Sequence, residues 1–414
     1  MTRQLGLFIF FMAAASCFSG CSGLDLVKAD FKMSQEAYDE AIPILETYLQ
    51  QHPDSIDEMN KLGFAYLKSG KLDQAVSTFE KTLVLKPGDP YAVLYLGTAY
   101  LNKGEFGKAG AVWQGYRDQK KPLVEEEIRR MITVLQIAES QKAAREALAA
   151  EASLKTAGQS PNTVAVCYYK DLSPDNRLRS LQKGLAAMVI TDLSKIKSLK
   201  VVERVRLQAL MQEMKLGQTG VVDQGSAPRV GKLLGAGTLV TGGMSEGIQI
   251  STSLASAIEG KVKGTTTATV PQEAFFDIPK QIVMDTAKMM DIRLTPEETR
   301  AIGTPHTTNF KALMYYGDAL DAMDAGNWAK AKNLFAMALQ EDPKFDMARD
   351  GYVSCPTAST PAVGQLAAMS AGDVATYVET AIQTAKDNQT KADKAAEAAA
   401  KEGRGGGGGG GGGH

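Results

Sequence analysis

The sequence predicts a multidomain protein: α-helical repeats, then an α/β three-layer domain, then a further helical hairpin and a low-complexity tail. Three observations carry this reading. Matching residues recur 34 positions apart between Leu62 and Tyr116. Short apolar runs alternate with 3.6-residue periodicity between Thr163 and Gly243. Past Cys355 the chain turns Ala-, Ser- and Thr-rich and ends in nine glycines and His414. The expected boundaries are 1–20 for a signal peptide, 21–122 for the repeats and 123–162 for a capping and bridging helix with its linker. The α/β domain follows at 163–303, a repeat-like helical hairpin at 304–350 and the Ala/Gly-rich tail at 351–414.

Composition bounds the function classes. A chain of 414 residues holds two or three self-sufficient cores. Lys+Arg of 46 against Asp+Glu of 47 leaves a net charge of -1, so no global field recruits nucleic acid. No basic run with interleaved aromatics occurs. His52, His306 and His414 lie far apart, and no Cys/His pair has metal-ligand spacing. Neither a metal nor a cofactor is expected.

Arg3 supplies a short positive region and Leu5–Ala15 an apolar stretch too short to span as a mature helix. Phe18-Ser19-Gly20-Cys21 follows and resembles a bacterial lipobox, with Phe18 where an aliphatic residue is usual. The resemblance implies cleavage before a lipid-modified Cys21; the alternative is an ordinary secretory signal with an incidental cysteine. Ser22 follows, without an inner-membrane retention aspartate, which points to the outer membrane, periplasmic side. Each buried CH₂ of an acyl chain adds about 0.8 kcal/mol, so a multiply acylated cysteine anchors without a spanning helix. Of the remaining cysteines, Cys167 reads as a small buried hydrophobe in an apolar strand, and no disulfide with Cys355 is expected.

Aligning Leu62–Pro87 with Leu96–Tyr116 places Leu62/Leu96, Gly63/Gly97, Tyr66/Tyr100, Gly70/Gly104, Ala75/Ala109 and Phe79/Trp113 in register. This resembles the tetratricopeptide repeat, a helix–turn–helix unit. Small Gly63 and Ala75 suit close helix approach, Gly70 permits the turn and Pro87 ends the second helix. An earlier, degenerate copy keeps only Ala41, Leu45 and Pro53. The resemblance implies a concave groove for a protein or peptide partner, with Asn60, Phe64, Leu67, Thr98 and Leu101 at groove-facing offsets. Tyr66, Phe79 and Trp113 fall at packing offsets. The alternative is that the repeats only space the next domain from the membrane. Val124–Leu154 reads as one long helix capping the repeats.

The α/β stretch runs through strand Thr163–Tyr169, helix Leu178–Ile196, strand Leu199–Arg204, helices Leu207–Lys215 and Pro228–Leu234, and strand Thr238–Gly243. Such alternation predicts right-handed crossovers and a parallel sheet covered on both faces. TVAV, ITDLSKIKSLKVVER and VGKLLGAGTLVTGGM resemble the α/β domain of the curli assembly-component (CsgG-like) family, and also the amino-terminal domain of TolB, over Thr163–Pro296. The resemblance implies assembly work without catalysis, and possible homo-oligomers through this domain. Members of the curli-type channel insert long hairpins in the outer membrane. Here Gln249–Leu254 and Lys261–Val270, joined at Glu259-Gly260, are short and rich in Ser, Thr and Gly. Spanning strands need about 9–11 residues with an apolar outer face.

Phe275–Met290 reads as an amphipathic helix, and Thr295, Pro296 and Glu298 as a capped helix start. Tyr316, Gly326, Ala331, Phe335, Ala338 and Pro343 mark one more repeat-like hairpin, its small residue displaced. A last Ala-rich helix is expected over Ala371–Glu402. Catalytic patterns fail on inspection. Five residues separate Gly225 from Gly231 where a phosphate loop needs four, and Leu233 replaces its Ser or Thr. Gly235-Ala236-Gly237 precedes a strand instead of following one. Asp171, Asp175, Asp192 and Glu203 could line the carboxyl end of the sheet as a catalytic set, but they read as solvated carboxylates. The reading is therefore a non-catalytic, lipid-anchored assembly or scaffold protein of the cell envelope; the alternative is a subunit of a curli-type secretion channel.

Overall fold

The structure, a computed structural model, describes residues 24–117, 122–154, 159–215, 222, 225–246, 249–269 and 272–357, with 380 and 383. Cys21, the signal segment, most of Ala371–Glu402 and the glycine tail lie outside the described residues. The chain divides into two compact units, one of Met1–Ile132 with Ser359–His414 and one of Thr133–Ala358.

The first unit is helical. Helix α1 spans 24–34 and α2 Tyr38–Gln51; α3 (Ile56–Lys68) pairs with α4 (Leu72–Leu85), and α5 (Pro90–Asn102) with α6 (Phe106–Trp113). Each pair is locked by an aromatic ring of the second helix against a glycine of the first. A Cβ on Gly63 would stand 2.6 Å from Phe79, and one on Gly97 2.1 Å from Trp113. Both rings are fully buried. Gly70 and Gly104 take φ of +72° at the intervening turns, a conformation that costs other residues about 1–2 kcal/mol.

The degenerate first copy is more regular than its sequence suggests. Ala41 and Leu45 are buried at the offsets of Ala75 and Phe79. The Tyr66 hydroxyl donates to Glu46, and 34 positions on the Tyr100 hydroxyl donates to Glu80 at 2.7 Å. These bonds tie each repeat to the one before it. The long helix α7 (Pro122–Ala149) begins in this unit, with Val124, Ile128 and Met131 buried.

The second unit is built on a sheet of strand order β3-β1-β4-β5-β6. Its strands are β1 (Thr163–Val166), β2 (Lys170–Asp171), β3 (Lys200–Val201), β4 (Thr238–Ser245), β5 (Gln249–Ser256) and β6 (Lys261–Thr269). Strands β1, β3 and β4 are parallel, while β4, β5 and β6 form an antiparallel meander. The parallel expectation for the strands of Thr163–Gly243 holds, and so does the separate hairpin expected at Glu259-Gly260. The turn at Gly260, with φ of +65°, reverses the chain between β5 and β6.

Helix α8 (Arg179–Leu193) crosses from β1 to β3, and α9 (Arg204–Glu213) with α10 (Ala227–Leu234) returns to β4. Right-handed crossovers in opposite directions put these helices on opposite faces, which yields three layers. Strand β3 is shorter than the apolar run Leu199–Arg204, because Arg204 already begins α9. The expected helix Phe275–Met290 opens with a 3₁₀ turn at Gln272–Asp277 before α11 (Ile278–Met289). Helix α12 (Pro296–Gly303) carries the expected capping box between Thr295 and Glu298.

Helices α13 (Phe310–Asp324) and α14 (Trp328–Glu341) form the repeat-like hairpin and pack on α8 within the same core. A further helix, α15 (Asp346–Ser354), was not legible in the sequence. Its Gly351 takes the ring of Phe335, at 2.5 Å from an added Cβ. The glycine of α13 has a different duty: a Cβ on Gly317 would lie 1.6 Å from the Ser180 carbonyl oxygen. A Cβ on Gly184 of α8 would stand 3.2 Å from the Leu313 side chain and 3.8 Å from the Gly317 Cα. Two glycines thus let α8 and α13 cross in backbone contact, which explains the displaced small residue.

Candidate functional site

The five residues at groove-facing offsets lie on two neighbouring helices. Asn60, Phe64 and Leu67 come from α3, and Thr98 and Leu101 from α5. Their exposure differs. Asn60, Phe64, Leu67 and Thr98 are buried, and Leu101 is half-buried. Phe64 lies between two tyrosines, with centroids 6.0 Å from Tyr38 and 5.0 Å from Tyr95. The Lys68 ammonium stands 5.9 Å from its centroid. Thr98 donates back to the Leu94 carbonyl at 2.9 Å, the usual outlet for a helical threonine.

Asn60 is the most informative of the five. Its Nδ2 donates to Asp89 Oδ1 at 2.9 Å, and Asp89 in turn caps α5 by accepting from the Ala92 N–H at 3.0 Å. Burial alone would raise the Asp89 pKa. The Ala92 N–H, Lys86 and Asn60 outweigh it and hold the carboxyl below its ordinary range. With the amide committed to Asp89, Asn60 Oδ1 is a buried acceptor without a hydrogen-bond partner among the described residues. A buried acceptor left unpaired costs about 1–3 kcal/mol, so a donor delivered there gains correspondingly.

The second unit contains a cleft of about 910 Å³ between α8, α9 and the α13–α14 hairpin. Its walls carry both signs: Arg179, Lys183, Lys215 and Lys330 against Asp318, Asp321 and Asp324. Most of this charge is internally engaged. Lys183 Nζ meets Asp321 at 2.6 Å and Asp324 at 2.8 Å. Arg204 Nη1 contacts both Asp324 oxygens, at 2.9 and 2.7 Å, and donates to the Tyr168 hydroxyl at 3.1 Å. The Tyr168 hydroxyl in turn donates to Gln208 Oε1 at 3.0 Å. Burial opposes the Arg204 charge, but Asp324 and Tyr168 raise its pKa further still. Burial raises Asp318, which accepts from Ser180 Oγ at 2.6 Å. The network clamps the hairpin to the α/β layer. Sequence reasoning missed it, since its members come from four elements and share no spacing.

The carboxylates weighed as catalytic do not share one set of partners. Asp171 caps its own loop through Ser173 and Leu178, and Asp175 pairs with Arg177 at 3.3 Å. Glu203 precedes α9. Asp192 is fully buried, not solvated as expected, because two ammonium groups and an imidazole surround it: Lys280 at 2.6 Å, Lys195 at 2.7 Å and His306 at 3.1 Å. It fastens α8 to α11 and to the loop before α13. Among the described residues no group of three His, Cys, Asp or Glu is placed to hold a metal ion.

Comparison with known proteins recovers both resemblances. Residues 138–261 match the family of the curli production assembly/transport component CsgG, and residues 32–91 match the tetratricopeptide repeat. The first match ends short of Pro296, and the second includes the degenerate first copy. None of the curated proteins compared with the chain matches it. Among solved structures, a tetratricopeptide repeat protein from Parabacteroides merdae is 12% identical over 81% of this chain and 99% of that one, with a TM-score of 0.28. Yeast Tom70 is 14% identical over 80% of this chain and 64% of that one, at 0.26. The repeat domain of P58(IPK) is 13% identical over 89% and 84%, at 0.27.

Proposed function

We propose that this chain is a non-catalytic, lipid-anchored scaffold of the bacterial cell envelope, held at the periplasmic side of the outer membrane through Cys21. In this reading its repeats capture a protein or peptide partner, and the α/β unit serves assembly or export of surface structures of the curli kind. The families matched at 32–91 and 138–261 are non-catalytic kinds of protein and support that division of labour. The observation that carries partner binding is the unmet Asn60 Oδ1 on α3. Because this oxygen is sealed from solvent in the free chain, a backbone N–H of an extended peptide reaches it once the side chains over it shift, while half-buried Leu101 supplies apolar contact. Buried Phe64, Leu67 and Thr98 act as the packed floor.

The α/β unit is read as a docking element and not as a channel wall. Strand β5 is paired with β4 along its full length, from Thr238↔Ser256 to Ser245↔Gln249, so a spanning hairpin would first have to leave the sheet. Crosslinking in intact membranes followed by affinity purification tests the partner claim. Leu101→Glu should abolish partner capture with melting unchanged, whereas undiminished capture would favour the spacer role. Reproducible unitary conductance of the purified chain in planar bilayers would favour the channel reading.

A further inference from the structure

Helix α1 buries one face and leaves a second apolar face uncovered. Ala29 is fully buried, Leu26 and Met33 are half-buried beside it, and Asp30 is tied to Lys61 of α3 at 2.6 Å. On the outer side Leu24, Val27 and Phe31 are 62, 65 and 58% exposed. Their spacing of three and four residues aligns them in one stripe along the helix. Lys28, its side chain 67% exposed and its ammonium 3.4 Å from the exposed Asp25 carboxylate, flanks the stripe and can exchange that carboxylate for a phosphate.

We propose that this outer face of α1 is a membrane-contact surface lying among phospholipid headgroups. The inference rests on acylation of Cys21 in the reading above. Chain geometry then selects the occupant. Two residues separate Cys21 from Leu24, and the three steps between them span at most about 10 Å when extended. The headgroup layer on each side of a bilayer is itself roughly 5–8 Å deep. A helix tethered so closely cannot present its stripe far from the interface. Leu, Val and Phe seat at the acyl boundary of such a layer, and a lysine beside them extends its ammonium to phosphate. The acyl chains and the stripe together make two membrane signals, which holds the first repeat against the bilayer.

The test uses the processed full chain in vesicles of phosphatidylethanolamine and phosphatidylglycerol, followed by transfer to acceptor vesicles. Replacing Leu24, Val27 and Phe31 together by Ser leaves the inward face intact, which an unchanged circular-dichroism melt verifies. Transfer should accelerate on the order of a hundredfold, from partial burial of three apolar side chains. A rate within twofold of the parent overturns the proposal. So does loss of self-association in sedimentation with transfer unchanged, which would assign the stripe to a second copy. The mass of the amino-terminal peptide reports Cys21 acylation separately. If acyl chains are absent, the anchoring reading fails alone. Flotation of the unacylated chain with the same vesicles then decides: stripe-dependent flotation supports the membrane face, and no flotation overturns it.

Discussion

Gly317→Ala isolates the contact that joins the repeat-like hairpin to the α/β layer. The added methyl carbon would sit 1.6 Å from the Ser180 carbonyl oxygen, where the shortest ordinary contact is 3.4 Å. Ser180 belongs to the helical backbone of α8, so no side chain can swing aside. Either α13 backs away by about 1.8 Å or the first turn of α8 unwinds. Moving α13 also strains Lys183 and Arg204, both anchored on Asp324 at its end. Overpacking typically costs 1–3 kcal/mol, and this rigid contact should reach at least about 3 kcal/mol. Gly326→Ala is the control: its φ is +71° with nothing within 4 Å, so only about 1–2 kcal/mol of backbone strain is expected. The chain has two tryptophans, Trp113 and Trp328, so urea unfolding in a Trp113→Phe background reads Trp328 and the second unit alone. Gly317→Ala no less stable than Gly326→Ala would refute the close-crossing account.

Other substitutions test other parts of the chain. Phe79→Ala empties the ring against Gly63 and should cost about 3–5 kcal/mol in urea unfolding followed at Trp113. Asp192→Asn should lose about 3 kcal/mol at neutral pH by leaving Lys280 and Lys195 uncompensated. It should also flatten the acid limb of the stability–pH curve. Burial would raise the Asp192 pKa, but His306, Lys195 and Lys280 lower it. That carboxylate therefore stabilises the fold above the unfolded value near 4 and loses its effect as pH falls through the lowered folded value. Cys21→Ser should leave unprocessed precursor that incorporates no labelled palmitate; normal labelling would sink the anchoring claim.

Much of the fold was legible because it is written in local periodicity. The 34-residue register announced two repeats, and the apolar runs announced β1 and β4, since strands buried on both faces read as unbroken hydrophobic text. The first repeat was obscured because what it shares with the next is a Tyr66–Glu46 bond across repeats and not a run of signature residues. Helix α15 was missed because Asp346–Ser354 is only nine residues long and buries one residue, Ala348. The candidate site was less legible. Repeat offsets located the right helices, but whether Phe64 faces solvent depends on Tyr38 and Tyr95, which offsets alone do not place. The Tyr168–Arg204–Asp324 network was invisible, being purely tertiary.

The span of that network has a consequence for the order in which the chain can fold. Arg204 is followed by its counter-charge, Asp324, only 120 residues later. Until that aspartate emerges during synthesis, Arg204 and Lys183 have no Asp324 to pair with, and an unpaired buried cation is expensive. The sheet and its crossover helices are therefore held open through the making of β4, β5, β6 and α11. The amino-terminal repeats depend on neighbours already synthesised and can close long before. A nascent chain arrested at residue 303 should consequently present finished repeats beside an α/β layer still accessible to protease.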